Sequence, residues 1–177
     1  MILQLAYYGD PILRKKAKEV EKIDDEIKKL VENMIETMRA KNGLGLAAPQ
    51  VKQSLRIFII DSGETSADYI PEKEAVIEVY INPVITNPSD KQVFMNEGCL
   101  SLPGVYEEVL RPENITVEAM DIEGKHFKKE LSGLHARAVM HENDHLNGTL
   151  FVDRVRAKKK RSLEDSLRTL KKNPPKD

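Results

Sequence analysis

The pattern H-E-x-x-H at residues 141–145 points more directly to chemistry than any other part of this chain. On a helix, side chains four residues apart lie about 40° apart around the axis, so His141 and His145 can hold the same ion. Glu142 lies between them but is rotated to one side, where it can handle the proton of a water bound to that ion. The motif therefore predicts a hydrolytic metal site.

Two histidines on a buried helix face can also be satisfied by carboxylates or backbone carbonyls. The intervening glutamate disfavours this alternative, because burying His, Glu and His together costs roughly several kcal/mol of desolvation. A divalent cation compensates all three groups at once. We therefore expect a bound metal ion.

A catalytic metal site of this kind needs a third protein ligand and an open position for water. Cys99 is the best candidate, since a thiolate binds zinc or ferrous iron strongly and Gly98 allows the backbone to come close. A free, buried cysteine is the alternative. His135 projects from another face of the helix and His126 lies among lysines in a predicted hairpin, so we expect neither to join the site.

The helix that carries the motif is predicted to begin after Ser132, a suitable N-cap, and to end at the Asn-Gly pair at residues 147–148. Leu134 and Ala138 fall on the same helix face as the two histidines, which predicts that this face is buried. An Asp-Pro pair at residues 10–11 predicts one short helical turn near the start of the chain.

Periodicity and turn residues predict the remaining elements. Helices are expected at residues 24–38 and 162–170, strands at 56–60, 76–85, 92–95, 106–110, 115–119 and 126–131, an exposed loop at 61–74, and turns at 86–90 and 103–104. The predicted fold class is α+β, with antiparallel β-sheets packed around a central helix that carries the motif, an N-terminal helix and a C-terminal helix.

The 177 residues are 40% hydrophobic and 32% charged, so we expect one globular domain over residues 1–177, with a disordered tail from about residue 171. The 28 basic and 29 acidic residues nearly cancel, which does not favour DNA or a membrane as a partner. No apolar run reaches the roughly 20 residues that span a bilayer, and the first residues lack the features of a signal peptide, so we expect a cytoplasmic location.

Three segments in this order resemble the motifs of bacterial peptide deformylases: G-L-G-L-A-A-P-Q at residues 43–50, E-G-C-L-S at 97–101 and H-E-N-D-H-L at 141–146. The resemblance spans nearly the whole chain, from D-P-I-L-R at residues 10–14 to the C-terminal helix, which resembles the form of the family that ends in a helix. It implies a hydrolase that removes the N-formyl group from the formylmethionine of newly made polypeptides and releases formate.

The resemblance also implies roles for individual residues. Cys99, His141 and His145 would hold one divalent ion, typically Fe²⁺, with Zn²⁺, Ni²⁺ or Co²⁺ possible in purified protein. Glu142 would act as general base and then as proton donor to the departing amine. The side chain of Gln50 and the backbone N–H of Leu100 would stabilise the oxyanion that develops during the reaction.

Further positions match those that contact substrate or support the site in the family. The substrate-binding positions are Gly43, Leu44, Gly45, Leu134, Arg137 and Ala138, with Arg137 at the rim of the methionine pocket. Glu97 and Arg111 match an ion pair that steadies the cysteine loop.

The chain departs from the family pattern at two places. Met140 stands where many members have glutamine, which removes a hydrogen bond beside the first metal histidine. The Tyr-Glu-Glu segment at residues 106–108 occupies a region where some members place an arginine near the substrate backbone. Preference for residues beyond methionine is therefore open.

Two other interpretations of the motif remain. A zinc endopeptidase would share H-E-x-x-H but would need a later third ligand, for which Asp153 is the available residue. A closed structural metal site, or a module that binds formyl peptides without cleaving them, would not need Glu142 or Gln50. The basic run at residues 158–161 is typical of a solvated helix, although the family resemblance leaves a ribosome contact open.

Overall fold

The computed structural model describes residues 1–65 and 76–175, and its antiparallel strands and helices confirm the α+β class. In chain order the elements are α1 (Asp25–Ala40), β1 (Gly45–Ala47), β2 (Ile57–Asp61), α2 (Ser62–Thr65), β3 (Ile77–Thr86), β4 (Gln92–Cys99), β5 (Leu102–Pro112), β6 (Asn114–Met120), β7 (His126–Ser132), α3 (Gly133–Leu146) and α4 (Ala157–Lys172). Short 3-10 helices lie at Pro11–Arg14, Ala48–Val51 and Phe151–Asp153.

The strands of the described residues fall into two groups. Five of them form an antiparallel sheet in the order β1-β2-β3-β6-β7, and β4 pairs only with β5 in a separate hairpin. The hairpin register ends with Cys99 opposite Leu102, which puts Cys99 at the tip of the hairpin. In the large sheet, β1 comes first in the strand order, so it is an edge strand.

The apolar run in β2 is buried on both faces because a helix covers each side of the sheet. Phe58 and Ile60 pack in the cluster that includes residues of α3, whereas Ile57 and Ile59 pack with residues of α1. Alternate side chains of a strand point to opposite faces. The sheet is thus sandwiched between α1 and α3.

Helix α1 begins where the sequence predicts it. The side chain of Asp24 accepts a hydrogen bond from the backbone N–H of Ile27, and such an N-cap typically stabilises a helix by about 1 kcal/mol. Its apolar stripe is buried at Val31, Met34 and Met38. At its end the N–H of residue 43 bonds to the carbonyl of Met38, which turns the chain towards β1.

Helix α3 carries the motif as predicted, with two differences. Ser132 occupies the N-cap position, but its side chain makes no capping hydrogen bond. Leu134 is 40% exposed, so the buried face does not include the first turn of the helix. From Ala136 to Leu146 every residue of the helix except Asn143 is buried.

The predicted boundaries around the hairpin and the tail need correction. Residues 103–104 are not a turn but belong to β5, and the chain reverses at residues 100–101. Helix α4 begins at Ala157, earlier than predicted, and continues to Lys172. The helix thus overlaps the first two residues of the tail predicted from about residue 171, and the tail itself stays a prediction, since residues 176–177 lie outside the described chain.

The predicted exposed loop at residues 61–74 is only partly described. Asp61 is the last residue of β2 and is buried, and Ser62–Thr65 form a helical turn. Residues 66–74 lie outside the described residues. Across the described chain, the helices lack the length and apolar character that a membrane span requires.

Candidate metal centre

The side chains of Cys99, His141 and His145 converge where the hairpin tip meets α3. Each offers one ligand atom, and these atoms all lie within 4.8 Å of one another. The Sγ of Cys99 is 3.3 Å from Nε2 of His145. Within residues 1–65 and 76–175, this is the group of His, Cys, Asp and Glu side chains that could hold a metal.

The orientation of His141 is fixed by Glu97. Its Nδ1 lies 2.9 Å from Oε2 of the Glu97 carboxylate, to which it donates a hydrogen bond in the neutral tautomer. This leaves Nε2 available as a ligand atom. Burial lowers the pKa of His141, but hydrogen bonds with Cys99 and Glu97 outweigh burial and raise that pKa, so a metal ion that binds Nε2 must displace a proton from it.

Two arginines neutralise the buried carboxylate of Glu97. Arg111 donates to both oxygens, from Nε at 2.6 Å and from Nη2 at 2.9 Å, so the ion pair named from the sequence is present. Arg137 donates to the same carboxylate at 2.7 Å. Burial raises the pKa of Glu97, but the hydrogen bonds with Arg111 and His141 outweigh burial and hold that pKa well below its usual range. The carboxylate therefore stays ionised beside His141.

Arg137, which the resemblance places at the rim of the methionine pocket, is held by several hydrogen bonds. It borders the cavity but is only 4% exposed, and its guanidinium also donates to the carbonyls of Val109 and Val93. Its charge is therefore committed to Glu97 and the hairpin backbone. A role in contacting substrate stays a prediction.

Glu142 is buried one residue after the first histidine of the motif. Its Oε2 has no hydrogen-bond partner among the described residues, which is costly for an ionised oxygen. Burial raises the pKa of Glu142 to about 7. A carboxyl group with such a pKa can both accept and release a proton near neutral pH.

The donor set and the unpartnered atoms fit a metal ion. Two imidazoles and a thiolate are ligands that zinc and ferrous iron accept. His145 is neutral because burial and the neighbouring His141 lower its pKa, and a neutral imidazole is the form that binds metal. The unpaired Oε2 of Glu142 adds a buried acceptor beside these ligands.

Gln50 holds its side-chain amide in a fixed orientation. Its Oε1 accepts a hydrogen bond from the backbone N–H of Ala47 at 2.8 Å, so its NH₂ group must face the other way. That group lies 3.4 Å from Sγ of Cys99 and 3.3 Å from Oγ of Ser101. The 3-10 helix at Ala48–Val51 thus aims an N–H donor at the centre.

A cavity of about 530 Å³ opens beside these residues, a size typical of small-ligand sites. All the substrate-binding positions predicted from the sequence line it: Gly43, Leu44, Gly45, Leu134, Arg137 and Ala138. Gln50, Leu100 and Glu142 line the same cavity. The three segments quoted from the sequence therefore meet at one opening.

Two residues that line the cavity were not predicted from the sequence. Tyr7, from the N-terminal segment, and Pro175, which follows α4, both line it. The last turn of α4 packs on this segment, since a Cβ atom on Gly9 would lie 2.8 Å from Cγ of Lys171. No local pattern could have indicated that the two ends of the described chain meet at the cavity.

Gly98 is required for a reason that differs from the one proposed from the sequence. A Cβ atom there would lie 2.4 Å from Cε1 of Tyr106, so the aromatic ring packs directly on the glycine backbone. Tyr106 is 67% exposed and lines the cavity. The two acidic residues after it pair with Lys159 of α4 rather than facing the cavity.

The other candidate ligands lie elsewhere, as expected. His135 lies 3.2 Å from a carboxylate oxygen of Glu78, and His126 is exposed. Asp153, the third ligand that an endopeptidase would need, pairs with Arg14. Met140 packs in the core between α3 and the sheet.

This combination of a two-histidine helix, a thiolate and a buried glutamate beside an open cavity is typical of mononuclear metallohydrolases. The polypeptide deformylase family matches residues 2–161 of the chain. The chain belongs to the peptide deformylase family, and it is a metal-dependent hydrolase that removes the formyl group from the N-terminal methionine of polypeptides.

Individual relatives agree over most of the chain. A peptide deformylase of Clostridium botulinum (strain Alaska E43 / Type E3) is 48% identical over 151 residues, which cover 85% of this chain and 95% of the relative. One from Dictyoglomus turgidum is 46% identical over 155 residues, covering 88% and 94%.

Solved structures show the same fold. The crystal structure of a mutant of Arabidopsis thaliana peptide deformylase 1B superposes with a TM-score of 0.88 at 38% identity, covering 96% of this chain and 90% of that one. A Plasmodium falciparum peptide deformylase in complex with an inhibitor superposes with a TM-score of 0.85 at 36% identity, covering 96% and 100%.

Proposed function

We propose that the centre formed by Cys99, His141, His145 and Glu142 carries out this deformylation, with one divalent ion held by the first three. When bound, the metal supplies Lewis acidity, which lowers the pKa of water and polarises a carbonyl group. We further propose Fe²⁺ as the ion used in the cell. The same donors also suit Zn²⁺, Ni²⁺ and Co²⁺, so the choice depends on metal availability.

Glu142 is the proposed proton carrier. It takes a proton from the attacking water and then gives it to the amine that departs as formate is released. Its raised pKa and its unpartnered oxygen support this role, because the group is poised near neutral pH and is free to bond to a reactant. A residue held only for structure would have its carboxylate oxygens paired.

The negative charge that develops on the formyl oxygen needs hydrogen-bond donors. We assign this role to the side-chain NH₂ of Gln50 and the backbone N–H of Leu100. The bond from the N–H of Ala47 supports the assignment, since it fixes the amide of Gln50 before substrate arrives. One such preorganised donor is worth about 10²–10³-fold in rate.

The substrate chain is proposed to lie along the edge of β1 that pairs with no other strand of the described residues. Gly43 and Gly45 would offer backbone groups there, so that an extended peptide adds to the sheet. Leu44, Leu134 and Ala138 would form the apolar surface for the methionine side chain. Their position on the cavity wall supports this proposal.

We also propose where in the cell the chain acts and that it contacts the ribosome. The chain would act in the cytoplasm on nascent polypeptides, where formylated N-termini arise. The ribosome would be contacted through the basic run at residues 158–161. Lys158, Lys160 and Arg161 are exposed and support that contact, whereas Lys159 is bound to acidic residues of β5.

The observation that carries the proposal is the convergence of Cys99 with the two histidines on α3 beside the orphan oxygen of Glu142. The test is formate release from a formyl-Met peptide after removal of metal and anaerobic reloading with Fe²⁺ or Zn²⁺. We expect metal-free protein to be inactive and both metals to restore formate release, with iron restoring more. Full activity without metal would contradict the proposal.

A further inference from the structure

A chain of buried charges runs from the metal-binding face of α3 to the protein surface. It begins at His141 and passes through Glu97 to Arg111. The remaining nitrogen of Arg111, Nη1, donates to Oδ2 of Asp144 at 2.9 Å. Arg154 then donates to the same carboxylate, from Nε to Oδ2 at 2.5 Å and from Nη2 to Oδ1 at 2.6 Å.

Asp144 lies in an unfavourable place for a carboxylate. It is 6% exposed and belongs to the last turn of α3, where the helix dipole repels negative charge. A buried carboxylate is tolerated there only when cations hold it. Two arginines do so, and one of them is the same arginine that grips Glu97.

Arg111 therefore acts as a bridge between two carboxylates. Its Nε and Nη2 donate to Glu97, and its third nitrogen, Nη1, donates to Asp144. The guanidinium is therefore held in place from two sides. Glu97 in turn holds Nδ1 of His141. A change in the position of Asp144 is thus transmitted to the orientation of the imidazole.

Arg154 is the outermost member, with its side chain 45% exposed in the segment between α3 and α4. It supplies both of the remaining hydrogen bonds to Asp144. Without it, Oδ1 loses its protein partner and the Asp144 carboxylate is free to turn away from Arg111. Arg154 lies too far along the chain of contacts to touch substrate or metal directly.

We propose that Asp144 and Arg154 are positioning residues of the metal centre, acting through Arg111 and Glu97 on His141. The inference rests on the proposed metal ligands. Groups that orient a ligand from behind typically change metal affinity or activity by about 10–100-fold when removed. Arg154 makes the connecting segment before α4 part of the machinery that holds the metal.

The chain offers a matched control at Arg14. This arginine also forms a two-point pair with a carboxylate, Asp153, and its side chain is 44% exposed. Neither partner contacts Glu97, Arg111 or a metal ligand in the hydrogen bonds of the site. Arg14→Ala therefore removes a similar ion pair while every hydrogen bond in the chain of charges stays in place, although the charge of Arg14 does help to lower the pKa of His145.

The experiment loads wild type, Arg154→Ala, Arg154→Lys and Arg14→Ala with Co²⁺. It measures the cobalt absorption spectrum, the rate of metal loss to a chelator, and kcat and KM for a formyl-Met peptide. For Arg154→Ala we expect about 10–100-fold faster metal loss, an altered cobalt spectrum and a lower kcat at similar KM. Arg154→Lys should lie between it and wild type, because one ammonium cannot serve both carboxylate oxygens as well.

Arg14→Ala should keep the wild-type spectrum and rate of metal loss. The inference is overturned if Arg154→Ala, or Arg154→Lys where the alanine variant does not fold, matches wild type in both. It is also overturned if Arg14→Ala changes them equally, because the effect would then be general destabilisation. A wild-type protein whose cobalt spectrum lacks thiolate absorption would instead refute the proposed ligand set itself.

Discussion

The distances around Gly45 allow the effect of Gly45→Ala on the reaction rate to be estimated. A Cβ atom on this residue would lie 2.7 Å from Oε1 and 2.9 Å from Cγ of Glu142, and 2.9 Å from Cδ1 of Ile60. Ordinary contacts begin near 3.4 Å, so the carboxylate must move by about 0.7 Å, the difference from 2.7 Å. Gly45 does not have a positive φ, so Gly45→Ala acts through this clash rather than through backbone strain.

We expect Gly45→Ala to lower kcat for formate release by on the order of 10–10²-fold, since misplacing a catalytic group by about 1 Å can cost 10²-fold. Metal content should stay the same, because no proposed ligand is touched. Overpacking should also cost about 1–3 kcal/mol of stability, which thermal unfolding measures. The assay follows formate release from a formyl-Met peptide at a temperature where the variant is fully folded.

Gly124→Ala is the control for lost stability alone. Gly124 has φ +78° in the turn between β6 and β7, so alanine there costs about 1–2 kcal/mol of backbone strain. Its Cβ would meet only Ile23, at 3.7 Å. A near-normal kcat for Gly45→Ala, or an equal loss for Gly124→Ala, would refute the reasoning that Gly45 makes room for Glu142.

Two further predictions concern the metal and the pH dependence of stability. Cys99→Ala should lose the ion on dialysis, as elemental analysis would show; full retention would point to another third ligand. Burial raises the pKa of Glu78, but hydrogen bonds from His135, Tyr80 and Lys129 outweigh it and lower the pKa to about 2. The folded-state pKa is below the ordinary value of 4.5, so this stabilisation is present above pH 4.5 and is lost as pH falls towards about 2. In urea unfolding, Glu78→Gln should flatten the pH dependence in that window by at most about 3 kcal/mol; parallel curves would contradict this.

The elements that position the site could be predicted where the signal is local. Helix α1 has a capped start and a continuous apolar stripe, and α3 has its motif and a clear end, so both were predicted to within a few residues. The turn of the β4–β5 hairpin was misjudged because Pro103 and Gly104 are typical turn residues. They instead lie within β5, beside the irregularity where the hairpin register shifts between Glu97 and Cys99.

The burial of Arg137 could not be predicted from its neighbours in the sequence. Glu97 makes hydrogen bonds with Arg111, Arg137 and His141, which lie 14, 40 and 44 residues away in the sequence. No local sequence pattern predicts contacts at such separations. The family resemblance named Glu97 and Arg111 as an ion pair. Only the fold brings the third charge, Arg137, onto the same carboxylate.

The same limit applied to the C-terminal helix. The basic run at residues 158–161 is a surface feature by composition, yet Lys159 pairs with two carboxylates of β5 about fifty residues earlier, at separations of 52 and 51. Arg154 likewise gave no signal in the sequence. Its importance follows only from its contact with Asp144 in the last turn of α3.

The measurement that tests the central claim most directly is metal content and formate release of Glu142→Ala on the same sample. The proposed ligands are Cys99, His141 and His145, so the variant should keep its metal ion. It should lose formate release by at least about 10²–10⁴-fold, the usual contribution of a general acid–base group. Near-normal turnover by the metal-loaded variant would contradict the proposed role of Glu142 at this centre.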